Sequence, residues 1–541
     1  MPDKVEIARY ELKKKDIGIE TKCRLVLISD SHVTPYGSIF NEKVFLEGIR
    51  QINEIDDISY IIHLGDVTDN GTVDEYVYFN KLIQNLSPEL RDKLHFIPGN
   101  HDSKNVGDLL FEEYIAKDRS FTLELPNDSV IFGLDSTEPD ENIGEIGFKT
   151  TQLFKNLIEQ YSGLKIVCFH HQLVPIPRTG RERSAIVDAG NVLKMLLDTN
   201  VNLVLNGHRH ITNLYNMTDG DGELLIFNAG TMSCNKTRHH ELWTYTVIDL
   251  DSDMIAVDIR SIRDENTKKF ITRPFFAGVS HDVTLENNDV VARIVHMANS
   301  AFSTKHSHDE KAWKKAAEKI NSTECDLIIH SGDLLDQSFK EDFELARDYL
   351  KDLDHPLIVI PGHMETRHPR GWDYFQEIIG DLDPYFENEK LLFVGINSCK
   401  TQVKKGVIGR RVLNEIVNAT QKALTKKIVG LTLYHDIIPT PLERWEATLT
   451  DSGDVLSVFA LSGVDLILSG SSYSNWSVQV ENAIFSSCSS ICNKKALLHR
   501  KKGNSFNIVS VFKEGSTLVQ EYQIQEGAIS TKRIFKIPVF M

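Results

Sequence analysis

Asp, Asn and His residues recur at the ends of apolar runs in the first half of this sequence, and these side chains bind divalent cations through oxygen and imidazole nitrogen. Five stretches share the pattern. They are VLISDSH (26–32) with Asp30 and His32, IIHLGDVTD (61–69) with Asp66 and Asp69, FIPGNHD (96–102) with Asn100, His101 and Asp102, IVCFHH (166–171) with His170 and His171, and LVLNGHRH (203–210) with His208 and His210. A carboxylate can bridge two ions while imidazoles and a neutral amide complete each shell, so seven ligands sharing one bridge suffice for a pair of cations. Any single Asp or His at a strand end can be a cap or a satisfied polar group. Five spaced stretches ending in ligand types beside turn-permitting glycines point instead to one shared site.

The elements that must position these residues alternate. Strand patterns fall at 24–28, 59–64, 94–97, 129–134, 164–169 and 201–206, and amphipathic helix patterns at 43–54, 74–86, 150–161 and 190–198. The opening residues Val5, Ile7, Tyr10 and Leu12 alternate with polar ones, as in an edge strand leading into the first core strand. This order predicts a layered α/β domain, in which ligand groups gather beyond the carboxyl ends of the strands.

The chain then repeats itself at a period of roughly 264 residues, far longer than a solenoid repeat and so a duplicated domain. YIIHLGDVTD (60–69) returns as LIIHSGDLLD (327–336), FIPGNHD as VIPGHME (359–365), HQLVPIP (171–177) as HDIIPTP (435–441), and VNLVLNGHRH (201–210) as VDLILSGSSY (464–473). The ends TKKFITRPFF (267–276) and TKRIFKIPVF (531–540) match as well, which divides the chain into domains 1–276 and 277–541. The second copy keeps turn residues such as Gly332, Pro361, Pro439, Asp451, Gly453 and Gly470 but not the ligands. Tyr434 stands for His170, Ser471 for His208, Tyr473 for His210, His363 for Asn100 and Met364 for His101, and an alignment on Ile294–Ser300 puts Ala298 and Ser300 at Asp30 and His32. Only Asp333, the counterpart of Asp66, survives. The second domain is therefore expected to fold like the first without a metal site and to pack on it as a pseudo-dimer partner.

Composition narrows the partners. A chain of 541 residues that is 41% hydrophobic can bury more than one core. A net charge of −17 and a pI near 5.6 disfavour long nucleic acid. The seven cysteines are odd in number and scattered, as reduced thiols are, and Cys488 and Cys492 have no second pair to complete a zinc site. The first residues lack a signal peptide's apolar core, and no run approaches the ~20 apolar residues of a membrane span, so a cytoplasmic protein without a membrane partner is expected.

Asp30-x-His32, Gly65-Asp66-x-x-Asp69, Gly99-Asn100-His101-Asp102, His170 and Gly207-His208-x-His210 occur in order, and together they resemble the motifs of the calcineurin-like metallophosphoesterases. The resemblance implies a four-layer αββα sandwich, duplicated in tandem here, with two divalent ions per chain (Mn or Fe ahead of Zn or Co). Asp30, His32 and His210 would bind one ion, Asn100, His170 and His208 the other, and Asp66 would bridge them. A hydroxide shared by the two ions would attack phosphorus in line, and His101 would act on the leaving group as the catalytic residue. Asp69 and Asp102 are expected to fix turns or orient ligands, and Asp135 to orient a turn.

GDVTDNG lacks the Asp-Arg-Gly continuation of Ser/Thr protein phosphatases, and GNHD differs from their GNHE. The pattern resembles instead the class III cyclic-nucleotide phosphodiesterase and glycerophosphodiesterase branch, which implies a small phosphodiester as substrate. Arg178, Arg181 and Arg183 follow His171 closely and are substrate-binding candidates, against the alternative of a solvated basic loop. Two other functions stay open: a regulatory module that senses a phosphorylated ligand with incidental turnover, and a nuclease.

Overall fold

The computed structural model describes residues 4–14, 23–179, 185–239, 241–250, 254–264, 269–274, 276–286, 289–423, 427–442, 449–494 and 503–537. Two six-stranded sheets face a single twelve-stranded sheet. The first six-stranded sheet runs in space Lys269–Pro274, Met254–Ser261, Thr244–Leu250, Cys23–Ile28, Tyr60–His63, Leu94–Phe96. The second runs Ala528–Lys536, Ser516–Gln523, Ser505–Phe512, Val290–Met297, Leu327–His330, Leu357–Val359, the same order one half later.

The twelve-stranded sheet is two six-strand arrays joined edge to edge. Asn213–Thr218 of the first half meets Trp476–Val480 of the second through the antiparallel pairs Thr218–Gln479 and Met217–Val480. Sheet continuity removes two exposed strand edges that would otherwise invite other chains. Strand Lys4–Lys14 pairs antiparallel with Phe276–Glu286 in a separate two-stranded sheet, so the opening residues do not border the core sheet as their position before Cys23–Ile28 suggested.

Helices cover the outer faces, giving the αββα layering. Helix Glu42–Asn53 is started by Asn41, whose side chain accepts from the Val44 N–H, and it buries Val44, Phe45, Ile49 and Ile52. That face joins Ile61, Tyr76 and Phe79 in a core on one side of the six-stranded sheet. Between the sheets lies a second core, with Leu25, Leu27 and Ile62 from one sheet and Ile166, Leu203 and Phe227 from the other. Its second-half counterpart holds Ile294, Ile329, Phe393 and Leu466.

The helices on the twelve-stranded sheet share one core that crosses the halves, from Phe154 and Leu193 to Leu431 and Phe459. The contact there is reciprocal. A Cβ on Gly190 would stand 2.0 Å from the Thr440 carbonyl oxygen, and one on Gly453 2.0 Å from the Ile176 carbonyl oxygen, so only glycine allows the approach on either side. The Arg178 N–H donates to Asp454 Oδ1 at 2.6 Å, as the Leu442 N–H donates to Asn191 Oδ1 at 2.9 Å. Among the described residues no helix is long and apolar enough to cross a membrane.

Candidate metal centre

The ligand-type residues sit where parallel strands end and the backbone turns sharply. Asp30, His32, Asp66, His208 and His210 all have positive φ, between 47° and 73°. A non-glycine residue held there costs about 1–3 kcal/mol, and Asp and His tolerate it better than most. The turns are fixed by extending the strand pairing beyond its end: the Asp30 N–H donates to the Gly65 carbonyl and the His32 N–H to the Asp66 carbonyl, both at 3.0 Å. Thr231 Oγ1 and Ser233 Oγ donate to the Asp30 and Ser31 carbonyls. Gly99 has no space for a side chain, because a Cβ would lie 2.2 Å from Asp66 Oδ1.

Two groups of ligand atoms result, and they share Asp66. Asp30, His32, Asp66 and His210 form one; Asp66, His170 and His208 form the other, with Asn100 Oδ1 3.2 Å from His170 Nε2 and 2.9 Å from His208 Nδ1. Asp66 Oδ1 accepts from the His101 N–H at 2.8 Å. Its Oδ2 lies 3.5 Å from His32 Nε2 and 3.4 Å from His170 Nε2, so one oxygen faces both groups.

Three of the four imidazoles are tied down by their other nitrogen. His170 Nδ1 lies 2.7 Å from the Leu64 carbonyl oxygen, His210 Nδ1 2.8 Å from the Lys236 carbonyl oxygen, and His32 Nδ1 3.2 Å from Asp69 Oδ1. Donation at these contacts leaves the other nitrogen's lone pair aimed at the centre, the arrangement that metal-binding histidines use.

The electrostatics are those of a cation site. Burial opposes charge on His170 and His210, but the carboxylates of Asp66 and Asp30 overcome it and push their pKa values up to about 9 and about 10. Burial likewise opposes ionisation of Asp66, yet the surrounding histidines hold its carboxyl well below the usual range. His32 Nε2 and His210 Nε2 stand 3.1 Å apart, which requires a proton or a cation between their lone pairs. Asp30 Oδ1 is buried and accepts no hydrogen bond, although His210 Nε2 is 3.2 Å away. Carboxylate, imidazole and amide donors converging on an orphaned buried oxygen fit divalent cations of the Mn, Fe, Zn or Co type.

His101 stands at the rim, half-buried. Its Nδ1 lies 2.6 Å from the Asp69 carbonyl oxygen and 2.7 Å from Lys104 Nζ. Burial lowers its pKa, but the charge of Asp66 and the bond to Asp69 outweigh that and favour the imidazolium. Asp102 is buried and accepts from the N–H groups of Val67, Thr68 and Gly99, so it fixes turns, as expected. Burial, with the neighbouring charge of Asp66, raises its pKa to about 6. Asp135 accepts from the Thr137 N–H and pairs with Arg119 at 2.9 Å, again a turn contact.

The centre opens into a cleft of about 450 Å³. In the basic loop only Arg178 is described, and it stands elsewhere than expected. Arg178 does not line this cleft; its N–H is bonded to Asp454 at the contact between the halves, and Arg181 and Arg183 lie outside the described residues. Among the described residues the cations on the wall are Arg209, Lys236 and Arg238. Arg209 was in view within GHRH, but Lys236 and Arg238 come from the loop after Glu223–Asn228, which carries no ligand motif. Asn142, which accepts from Asn100 Nδ2 at 3.0 Å, was also missed, for it sits in a loop with no periodic signal.

The register of the second half needs a second correction. Asn299 and Ala301, not Ala298 and Ser300, stand for Asp30 and His32. The Asn299 N–H donates to the Gly332 carbonyl and the Ala301 N–H to the Asp333 carbonyl, and both residues have positive φ, 56° and 54°. Ser300 pairs with His330 at 2.8 Å as Ser31 pairs with His63 at 2.8 Å. A one-residue slip exchanges the faces of a strand, and the apolar run alone did not fix its phase.

Residues 23–212 match the model of the calcineurin-like phosphoesterase family. A protein of Arcobacter nitrofigilis described as a probable glycerophosphodiester phosphodiesterase is 28% identical over 180 residues, 30% of this chain and 64% of that protein. The chain thus spans less than two thirds of that relative. A probable cyclic nucleotide phosphodiesterase of Xenorhabdus bovienii is 27% identical over 220 residues, 38% of this chain and 84% of that protein. Among solved structures, a purple acid phosphatase from yellow lupin (Lupinus luteus) seeds aligns with 47% of this chain and 53% of its own at 12% identity and a TM-score of 0.37.

Proposed function

We propose that the first half is a metal-dependent phosphodiesterase that hydrolyses a small phosphodiester, a cyclic nucleotide being one candidate. The observation that carries this reading is Asp66 Oδ2, one buried oxygen facing two sets of ligand atoms. Asp30, His32 and His210 would hold one divalent ion, Asn100, His170 and His208 the other, and Asp66 would hold both. When bound, the pair supplies an activated water and Lewis acidity toward the phosphate.

The chain's own residues do the rest. Asp69 and the Leu64 and Lys236 carbonyls keep the imidazoles turned toward the centre. His101, favoured as the imidazolium, is placed to donate a proton to the leaving oxygen. Lys236 and Arg238 on the cleft wall favour an anionic substrate. The relatives described as probable phosphodiesterases support a diester, and a 450 Å³ cleft suits a small molecule better than a long strand.

Assays of the metal-reconstituted chain on cyclic nucleotides, glycerophosphodiesters, dinucleotides and chromogenic mono- and diesters test the reading. Metal-dependent turnover of at least one small diester, faster than of the matching monoester, is expected. Turnover of monoesters alone would overturn it.

The second half, in this reading, is a pseudo-symmetric partner without a metal pair, and it supports the first through the shared sheet and helix core. A chain ending at residue 276 should then aggregate, since it bares the Asn213–Thr218 edge and half of an apolar core. A monomeric truncated enzyme with unchanged kinetics would refute that role.

A further inference from the structure

The second half keeps a cavity of about 500 Å³ at the place where the first half has its metal centre. Its wall includes the counterparts of the first half's site: Ala301 for His32, Asp333 for Asp66, Met364 for His101 and Tyr473 for His210. The ligands have gone, but the space has not been filled by core side chains. Asp333 cannot hold a cation readily, because its Oδ2 accepts from the Tyr434 hydroxyl at 2.8 Å and its Oδ1 from the Met364 N–H at 2.9 Å.

Three features of the wall make chemical sense together. Counting from Gly99 and Gly362, Arg367 stands where Lys104 stands, so a cation at the rim is kept although the metal ligands are lost. Its side chain is exposed, with Nε 3.5 Å from His363 Nε2, and the guanidinium suits a phosphate group. Asp336, the counterpart of Asp69, is 9% exposed on the wall; its Oδ2 accepts from Ser307 Oγ at 2.6 Å, and a carboxylate has further lone pairs that can accept from ligand hydroxyls. Phe339 is 49% exposed at the start of helix Lys340–Leu350. Its ring lies 6.0 Å from that of His368, which is stacked on Tyr374, so the lip is aromatic and firmly backed.

We propose that this cavity binds a nucleoside monophosphate without hydrolysing it, the base against Phe339 and His368, the ribose hydroxyls toward Asp336, and the phosphate at Arg367. A planar face, hydroxyl donors and one anionic group are the three properties the wall selects, and stacking on exposed aromatic rings is a general way to hold a base. Loss of the metal ligands removes hydrolysis and leaves recognition.

Calorimetric titration of the full chain with AMP, GMP, CMP and UMP tests this, first after chelation of metal and then in the Asp66→Ala variant, so that the first half's centre cannot contribute. One saturable site per chain is expected for at least one nucleotide, with adenosine or guanosine and inorganic phosphate each at least 10-fold weaker. Arg367→Ala and Phe339→Ala should weaken binding at least 10-fold. Both residues are exposed, so the thermal midpoint without nucleotide should not change; Asp336→Asn provides a third variant should either destabilise the chain. Absence of saturable binding for all four nucleotides would overturn the proposal, as would binding that Asp66→Ala abolishes or that all three second-half variants leave intact.

Discussion

Asp66 and Asp333 occupy matching turns and differ in what meets their second oxygen. Both Oδ1 atoms accept the N–H two residues after the glycine of the following loop, that of His101 or of Met364. Asp66 Oδ2 faces His32 and His170, whereas Asp333 Oδ2 accepts the Tyr434 hydroxyl. A phenol thus supplies within the chain what cations would supply in the first half. The protonation follows: burial raises Asp333 to about 6, with only hydrogen bonds and the charge of Arg367 opposing it, while clustered histidines hold Asp66 well below the usual range. The strained backbone, in contrast, is common to both at three positions and not at Ser471 and Tyr473, the counterparts of His208 and His210. Asn299, Ala301 and Asp333 have φ of 51° to 56°, and an alanine there shows that the turn belongs to the fold rather than to metal binding.

The comparison breaks most readily at the bridging carboxylates. Asp66→Ala should abolish hydrolysis and release metal with the fold intact by circular dichroism, while Asp333→Ala should leave turnover and metal content unchanged. Metal analysis of the parent chain should find no more than two tightly bound ions; four would show that the second half binds metal after all.

His101→Ala should keep metal bound and lower turnover by about 10²–10⁴-fold, most for diesters with poor leaving groups. Loss of metal together with a uniform rate loss would make His101 a structural residue.

A smaller effect distinguishes Asn202 from Asp465. Asn202 Oδ1 accepts the Lys165 N–H at 3.0 Å, and Asp465 Oδ2 accepts the Val429 N–H at 2.8 Å in the matching place. Burial raises the Asp465 carboxyl to about 7, its hydrogen bond opposing weakly. Since the folded pKa lies above the unfolded value, the folded chain binds more protons. The contribution of Asp465 to stability is therefore full below about pH 4 and is lost as pH rises through about 7, where the buried group must ionise. Asp465→Asn copies the first half's solution and should stabilise the chain at pH 8 by roughly 2–4 kcal/mol and not at pH 4, read from denaturant unfolding. Equal effects at both pH values would refute the cause given.

Tyr434→Phe is expected to have the smallest effect. It removes the donor to buried Asp333 and should cost about 1–3 kcal/mol of stability without changing turnover. A change in catalytic rate would mean that the two sites communicate.

Sequence alone determined much of the first half, because its ligand-type residues lie within a few positions of apolar runs whose ends set their place. Asp30, His32, Asp66, Asn100, His170, His208 and His210 were all legible, and the structure brings them together. Helix Glu42–Asn53 was legible within a residue, since its amphipathic period is local. What only the tertiary structure decided depends on contacts far apart in the chain. The register at Asn299 and Ala301 required the pairing with Gly332 and Asp333. The cleft cations Lys236 and Arg238 come from a loop with no pattern of its own. Arg178 lies a few residues after the ligand-type His170 in sequence, yet at the glycine-lined contact between the halves its N–H is held by Asp454 instead. Periodicity reports which face of an element is buried; which element covers it, and which loop then reaches the site, follows from sheet order and packing that no local pattern encodes.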